Sequence, residues 1–410
     1  MNSIHIEDWG PGWTSLLAVV IYGAFMILRS VRQGRAQKSL TYRVLVTGSR
    51  GKSGCVRLIH AFFSAAGVSS YGKVTGKIAV EINTDSKVSG TVRIGVGGIP
   101  EMRQALIRAS EQNAKLGVFE SMAVLPKLIG LTAKIIDPQI VVVPTIRLDH
   151  LEDEGMSEAE IARNIVSAIG KPEHLVTGVS HPLIQQEISK ICRKQGVQLH
   201  LVAMDEAIPP IVGHHPLNVA IALKVCQLAG IDAKDALSKP ELISREPEVA
   251  TIRSIVGKQG TRVNYIDLGG ANDPESAREG YLRLGLDRGK TLVVPVLINR
   301  WERPLRTVLF TSLASRGFAV VGLCGSEARW SAKQISKASH GHAQVVRITP
   351  RIARDIDALE SLTKPYLRDG QSDITLVVLE NTHDKTTETM REYFQEHGDA
   401  HEVGDWKAHR

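Results

Sequence analysis

A short glycine-rich segment carries the clearest chemical signature in the sequence. The run Val44-Leu45-Val46-Thr47 is followed by Gly48-Ser49-Arg50-Gly51-Lys52-Ser53-Gly54 and then by an apolar-periodic segment. Glycines allow a tight turn whose N–H groups point at anionic oxygens, lysine supplies a mobile positive charge, and a serine hydroxyl suits Mg²⁺. The pattern is a shortened phosphate-binding loop, G-x-x-G-K-S, between a strand and a helix. The alternative is a glycine turn followed by a coincidental Lys-Ser pair.

The charge around this segment favours anions. No Asp or Glu occurs from Trp9 to Val80, whereas ten Lys and Arg residues fall in that window. The formal net charge of the whole chain is +7, and aromatic residues make up 5% of it. Because no basic stripe is interleaved with aromatic residues, we expect no nucleic-acid partner.

Polar residues follow two further segments that are typical of buried strands. Glu120 ends Leu116-Gly117-Val118-Phe119, and Asp149-His150 comes shortly after Ile140-Val141-Val142-Val143. In a parallel, doubly wound sheet, ligands bind where the strands end, so we expect these side chains beside the phosphate loop. Glu120 is then a candidate ligand for a hard cation, and His150 for a second cation or the phosphates. The alternatives are a solvated strand-end Glu and a surface His.

The elements that must position these residues form two α/β patterns. The first covers residues 41–247, with a Gly/Lys/Thr-rich loop at 71–77 and a helix that starts near Pro216 and carries Asn218, which either faces a ligand or caps the helix. A polar, proline-containing stretch ends it. The second pattern covers 248–410, and polar clusters that include Asn272, Asp273, Arg300 and Arg303 follow its strands.

The N-terminal 40 residues indicate a membrane anchor. Residues 13–28 carry no charge, and Arg29, Arg32, Arg35 and Lys38 follow at once. The uncharged run approaches the roughly 20 residues that a spanning helix needs, and the positive-inside tendency leaves the N-terminus outside and the rest in the cytoplasm. The alternatives are a buried or an interfacial amphipathic helix. Cys55, Cys192, Cys226 and Cys324 form no C-x-x-C pair, which fits reduced thiols in a cytoplasmic domain.

These motifs together resemble the Mur-ligase superfamily of ATP-dependent amide ligases, and most of all its membrane-anchored CapB/PgsB family, the ligase subunits of poly-γ-glutamate synthases. The similarity is densest at Val46–Ser53, Tyr71–Gly76, Glu120–Val124, Asp149–Gly155 and Ala271–Asp273. The resemblance implies a central P-loop ATPase domain with a parallel sheet, followed by a C-terminal Rossmann-like domain. Two family motifs are altered, at residues 299–303 and 380–384.

The resemblance also implies roles for particular residues. Lys52 would hold the β- and γ-phosphates of ATP, Ser53 and Glu120 would bind Mg²⁺, His150 would serve a second metal, and Asn218 would contact adenine. Four C-terminal residues would touch phosphate or the incoming amino acid: Asn272, Asp273, Arg300 and Arg303.

The expected reaction is the ADP-forming activation of a carboxylate as an acyl phosphate, which an amino-acid amine then attacks, most plausibly to polymerise glutamate at the cytoplasmic membrane face. The expected partners are glutamate, the growing anionic polymer, a multi-span CapC/PgsC-like subunit, an accessory CapA/PgsA-like subunit and further copies of this chain. Two other classes remain open: a membrane-tethered P-loop kinase or ATPase, and a nucleotide-binding assembly scaffold.

Overall fold

The computed structural model of the chain describes residues 11–75, 79–91, 98–204, 211, 214–233, 237, 252–268, 273–299, 304–315, 317–326, 328–379 and 384–401. The chain divides into two compact units, one within Met1–Ile146 and Glu158–Glu246 and the other within Arg147–Ser157 and Pro247–Arg410. Each described unit is built on its own sheet.

The first unit is a parallel-rich sheet with helices between its strands. Its strands are β1 (Tyr42–Val46), β2 (Ser70–Val74), β3 (Val80–Ile82), β4 (Val88–Gly90), β5 (Leu116–Glu120), β6 (Ile140–Val143), β7 (His174–Thr177) and β8 (Gln198–Leu201). The helices of this part of the chain are α1 (Pro11–Ser39), α2 (Lys52–Ala65), α3 (Ile99–Glu111), α4 (Pro126–Ile136), α5 (Leu151–Glu154), α6 (Glu158–Ala168), α7 (Pro182–Gln195) and α8 (Pro216–Leu228).

The strand order is β4-β3-β2-β5-β1-β6-β7-β8. All pairs from β2 to β8 are parallel, and β3 and β4 add an antiparallel edge. β6 is entirely apolar and every residue of it is buried, which is typical of a central strand with both faces covered. Since β1 pairs with β5 on one side and β6 on the other, the ends of these strands meet at one edge, as predicted.

The sequence pattern was wrong about the start of the 71–77 segment. Instead of a loop, Ser70–Val74 forms the strand β2, every residue of which is buried. Lys73 is neutralised there by Glu101, whose Oε1 lies 2.6 Å from its Nζ. Tyr71 donates a 2.5 Å hydrogen bond to Glu81, which also accepts from Arg108. A lysine in a central strand is tolerated because this network compensates the buried charge.

The second unit holds the other sheet. Its strands are β9 (Ile252–Val256), β10 (Arg262–Asp267), β11 (Thr291–Asn299), β12 (Val320–Gly325), β13 (Gln344–Arg347), β14 (Asp373–Val378) and β15 (Asp399–His401). The remaining helices are α9 (Pro274–Leu284), α10 (Pro304–Ala314), α11 (Ala328–Ala338), α12 (Pro350–Ala353), α13 (Ile356–Thr363) and α14 (Lys385–His397). The order is β13-β12-β11-β14-β10-β9-β15, parallel from β13 to β10 and antiparallel at β9 and β15.

The N-terminal helix and the four cysteines were also singled out in the sequence. Trp13–Ser39 is long and apolar enough to cross a membrane, and none of its apolar window is buried within the described part of the chain. The cysteines, all free, are buried: Cys55, Cys192, Cys226 and Cys324. Burial raises the pKa of Cys192 to about 11 and that of Cys226 to about 12, so both thiols stay protonated.

Candidate functional site

The glycine-rich segment forms the connection from β1 to α2, where a phosphate loop belongs. Gly48 and Gly51 have φ angles of 107° and 82°, in the left-handed region that favours glycine. A Cβ on Gly48 would lie 2.9 Å from the Thr145 carbonyl oxygen, and one on Gly51 would lie 2.6 Å from Asn218 Oδ1. The two glycines are therefore required both by the turn and by the close approach of neighbouring segments.

Thr145, just beyond β6, braces this loop. The Ser49 N–H donates to the Thr145 carbonyl oxygen at 3.0 Å. The Thr145 hydroxyl accepts from the Arg50 N–H at 3.1 Å and lies 3.2 Å from the Arg50 carbonyl, to which it donates. These contacts hold the loop to the neighbouring strand end, so its backbone conformation is set before any ligand arrives.

Lys52 opens α2 at the end of the loop. Its Nζ donates to the Gly48 carbonyl at 2.6 Å and to the Ser49 carbonyl at 3.1 Å, which keeps the ammonium over the loop. The N-cap residue Gly51 supplies no side-chain hydrogen bond to the helix start. The first N–H groups of a helix point outward with the positive end of its dipole, so the turn and Lys52 together favour an anion here.

Ser53 and Glu120 form the oxygen-donor pair of the site. The Ser53 hydroxyl donates to Glu120 Oε2 at 3.0 Å, and the Thr75 N–H donates to the same oxygen at 2.9 Å. Glu120 is only 3% exposed, at the end of β5. A hydroxyl and a carboxylate are ligands that hard divalent cations prefer, so the donor set fits Mg²⁺. Among the described residues, no group of three or more His, Cys, Asp or Glu side chains is placed to hold a metal by itself.

Asn218 lies against the loop from the start of α8. It is 4% exposed, and its Oδ1 accepts from the Cys55 thiol at 3.6 Å. Helix capping is done by another residue, because the His215 ring nitrogen accepts from the Leu217 N–H at 3.1 Å. The structure thus places the Asn218 amide beside Gly51 and gives the cap to its neighbour.

Asp149 and His150 belong to the second unit, where an arginine holds them. Asp149 is 5% exposed, and its Oδ1 lies 2.5 Å from Arg306 Nη2 of α10. The same oxygen accepts the His150 N–H at 2.9 Å. His150 adopts the left-handed region, with φ 48°, and precedes α5. The ion pair with Arg306 therefore orients the whole Asp149-His150 turn.

The predicted C-terminal residues are described in part. The Asp273 carboxylate is 1% exposed and accepts the Ser276 N–H at 2.9 Å, which makes it the N-cap of α9. Glu275 on this helix pairs with Arg147 at 2.5 Å. Asn272, Arg300, Arg303 and the altered motif residues 380–383 lie outside the described residues.

Sequence reasoning missed three residues that hold the site together, namely Thr75, Thr145 and Arg306. Thr75 directly follows β2 and Thr145 lies two residues beyond the end of β6, so the strand-end argument that singled out Glu120 extends to them. Arg306 gave no such signal, because its partner Asp149 lies 157 residues away in the chain.

Two protein-family models match the chain. The Mur ligase middle domain matches residues 46–208. The poly-gamma-glutamate synthase CapB C-terminal domain matches residues 252–397. One segment of the chain is therefore similar to Mur ligase middle domains and the next to CapB C-terminal domains. The resemblance read from the sequence is thereby confirmed.

Two curated relatives agree with this assignment. The chain is 26% identical over 297 residues to the capsule biosynthesis protein CapB of Bacillus anthracis, an alignment that covers 69% of this chain and 63% of that protein. It is 26% identical over 247 residues to the PGA synthase CapB of Bacillus subtilis (strain 168), covering 59% of this chain and 62% of that protein. The chain thus matches somewhat less than two thirds of the length of each relative.

A solved structure shows the same fold. The bifunctional folylpolyglutamate synthase/dihydrofolate synthase of Yersinia pestis, complexed with AMPPNP and a manganese ion, aligns with a TM-score of 0.58 at 16% sequence identity. The alignment covers 88% of this chain and 90% of that chain. The predicted Mur-ligase-like α/β class, with parallel-rich sheets, is confirmed.

Proposed function

We propose that the chain is an ATP-dependent, ADP-forming amide ligase that polymerises glutamate into poly-γ-glutamate. The observation that carries this proposal is the Ser53–Glu120 pair, 3.0 Å apart beside a braced phosphate loop, in a chain that continues into a CapB-type C-terminal domain. The relatives named for capsule and PGA synthesis, and the nucleotide and metal in the structural neighbour, support it.

The reaction begins with a carboxylate of the growing poly-γ-glutamate polymer. A carboxylate is a poor electrophile. Bound magnesium–ATP supplies the phosphoryl group and a cation that neutralises its charge. A carboxylate oxygen takes the γ-phosphoryl group as the bond to the ADP oxygen breaks, and an amino-acid nitrogen then displaces phosphate from the acyl carbon and loses a proton. Positioning and charge neutralisation carry most of the rate in such transfers.

In this proposal, different residues of the protein bind the phosphates, the metal, the adenine and the amino acid. Lys52 and the loop N–H groups hold the β- and γ-phosphates, Ser53 and Glu120 hold Mg²⁺, and the Asn218 amide contacts the adenine. His150 serves a second cation. The C-terminal residues, which contact phosphate or the incoming amino acid, are Asn272, Asp273, Arg300 and Arg303.

The membrane setting follows from α1. We propose that it crosses the cell membrane once with its N-terminus outside, which leaves both units in the cytoplasm. One helix cannot export a polymer, so a multi-span CapC/PgsC-like subunit and an accessory CapA/PgsA-like subunit are the proposed partners of a homo-oligomer of this chain.

The test is amide synthesis by membranes that contain the chain. Membranes are incubated with ATP and each radiolabelled amino acid in turn, and ADP release and labelled polymer are measured. Lys52→Ala abolishes both, whereas Lys194→Ala, an exposed lysine on α7, leaves both unchanged. ADP formed without any dependence on an amino acid would instead indicate a kinase or motor ATPase, and nucleotide binding without turnover would indicate a scaffold.

A further inference from the structure

The last third of α1 is part of the first unit. Gln37 donates to the carbonyl oxygens of Lys134 and Ile135 at the end of α4, at 3.2 and 2.9 Å. Gln33 accepts from Arg103 Nε at 2.7 Å, and the Ser39 hydroxyl donates to Ser110 at 2.8 Å. With α1 crossing the membrane as proposed above, the helix leaves the bilayer already docked on α3 and α4, and these contacts hold the unit close to the bilayer.

Helix geometry gives the height of the basic residues. The apolar run ends at Leu28, and a helix rises about 1.5 Å per residue, so Arg29 lies about 1.5 Å, Arg32 about 6 Å and Gln33 about 7.5 Å beyond it. The polar layer of each leaflet is roughly 5–8 Å thick. Arg103 is held at the level of Gln33 by its hydrogen bond and so reaches the headgroup layer from a different helix.

Arg29 stands four residues before Gln33, one turn away on the same face of α1, and Arg103 bonds to Gln33, so Arg29 and Arg103 bring two positive charges to this level. Burial and, second, the positive charge of Arg29 lower the pKa of Arg103. The carboxylates of α3 and of the end of α4 serve other cations. Glu101 lies 2.6 Å from Lys73, Glu111 lies 3.4 Å from Arg32, and Asp137 lies 3.3 Å from Arg43. Like charges held together cost energy, which an anion between them would relieve.

We propose that Arg29 and Arg103 together bind the phosphate headgroup of an anionic phospholipid in the cytoplasmic leaflet. The proposal rests on α1 crossing the membrane as proposed above, and it is independent of the ligase chemistry. Arginine suits this role because its planar guanidinium binds phosphate oxygens through paired N–H donors. Anionic phospholipid fits best because the pair is fixed at headgroup height by the docked helix.

The experiment uses the full chain in neutral detergent and native mass spectrometry with added phosphatidylglycerol or phosphatidylcholine. The wild type retains phosphatidylglycerol in preference to phosphatidylcholine. The double variant Arg29→Gln/Arg103→Gln binds phosphatidylglycerol roughly 30-fold more weakly, the effect of two basic residues near a membrane surface. The control Arg193→Gln/Lys194→Gln removes the same charge from exposed positions of α7 and leaves the preference intact.

Two further measurements separate lipid binding from loss of membrane insertion and from binding of the anionic polymer. Alkaline extraction of membranes tests the spanning helix alone, and both double variants stay in the membrane fraction. Soluble polyglutamate is added as a competitor, and it fails to displace the lipid. An unchanged preference in the Arg29/Arg103 variant, an equal loss in the control, or displacement by polyglutamate with the same arginine dependence would overturn the lipid site.

Discussion

Replacing Glu120 with Gln separates the charge of this residue from its hydrogen bonds. Both donors, the Ser53 hydroxyl and the Thr75 N–H, reach the same oxygen, Oε2. A glutamine can place its carbonyl oxygen there and keep both contacts, although each loses its charge assistance. Relief from holding a buried carboxylate offsets that loss, so we expect the free energy of unfolding to change by about 1 kcal/mol or less.

Activity is expected to respond far more strongly. A neutral amide is a poor ligand for Mg²⁺, and the loss of one preorganised electrostatic group typically costs on the order of 10²–10³ in kcat. Glu120→Ala serves as the contrast, because it leaves the buried Thr75 N–H without its acceptor and costs about 1–3 kcal/mol of stability as well.

The assay measures ATP-dependent glutamate incorporation against Mg²⁺ and Mn²⁺ concentration, with urea unfolding of the same preparations. The expected pattern for Glu120→Gln is near-normal unfolding, a large fall in rate and a higher metal requirement. A variant that unfolds normally and keeps the wild-type rate and metal dependence would show that this carboxylate is structural and holds no metal.

Three further predictions follow from single contacts. Gly51→Ala should weaken nucleotide binding in calorimetry and lower stability by roughly 1–3 kcal/mol, because its Cβ meets Asn218 at 2.6 Å, whereas Gly67→Ala, with a similar φ and open space, should leave nucleotide binding unchanged. Burial lowers the pKa of His60 from 6.5 to about 4, so the unfolded chain binds more protons between these values. Stability measured by urea titration should therefore be complete above pH 6.5 and fall by about 3 kcal/mol as the pH drops towards 4, and a His60→Gln chain should lack this slope. Arg306→Met should destabilise the second unit by roughly 3–5 kcal/mol in thermal unfolding, because it leaves the Asp149 carboxylate buried and unpaired, and adding Asp149→Asn should restore most of the loss; additive effects of the two changes would argue against their coupling.

The phosphate loop could be predicted from the sequence because its determinants are contiguous. Strand, glycines, lysine and helix follow one another within a dozen residues, and local rules for turns and helix starts apply directly. Glu120 could be predicted by a topological rule, since parallel strands place their ends at one edge. The strands of the sheet could also be predicted, because buried strands such as β6 are uninterrupted apolar runs.

The strand β2 could not be predicted, and the reason is physical. Its Lys73 and Gly72 favour a loop in any local pattern, and the partner that neutralises the lysine, Glu101, comes 28 residues later on a helix. A buried charge is compatible with a strand only when such a partner is present, and sequence spacing does not show which carboxylate will arrive. The contacts of Thr145 with the phosphate loop could not be predicted either, because they depend on two strand ends that are far apart in the sequence.

The Asp149-His150 turn belongs to a different unit from the one that its position in the sequence suggests, and ion pairs account for the difference. By position it follows β6 and reads as the rim of the first unit, yet the chain passes into the second unit at Arg147. Arg147 pairs with Glu275 and Glu279 of α9, and Asp149 pairs with Arg306 of α10. The Asp149–Arg306 pair contributes most to this placement, because the Asp149 side chain is only 4% exposed and leaving its charge without a partner is costly. If His150 serves a metal as proposed, its placement is then governed by the helices of the C-terminal domain, and substitutions at Arg306 should alter the metal requirement of the reaction without changing the affinity of the loop for nucleotide.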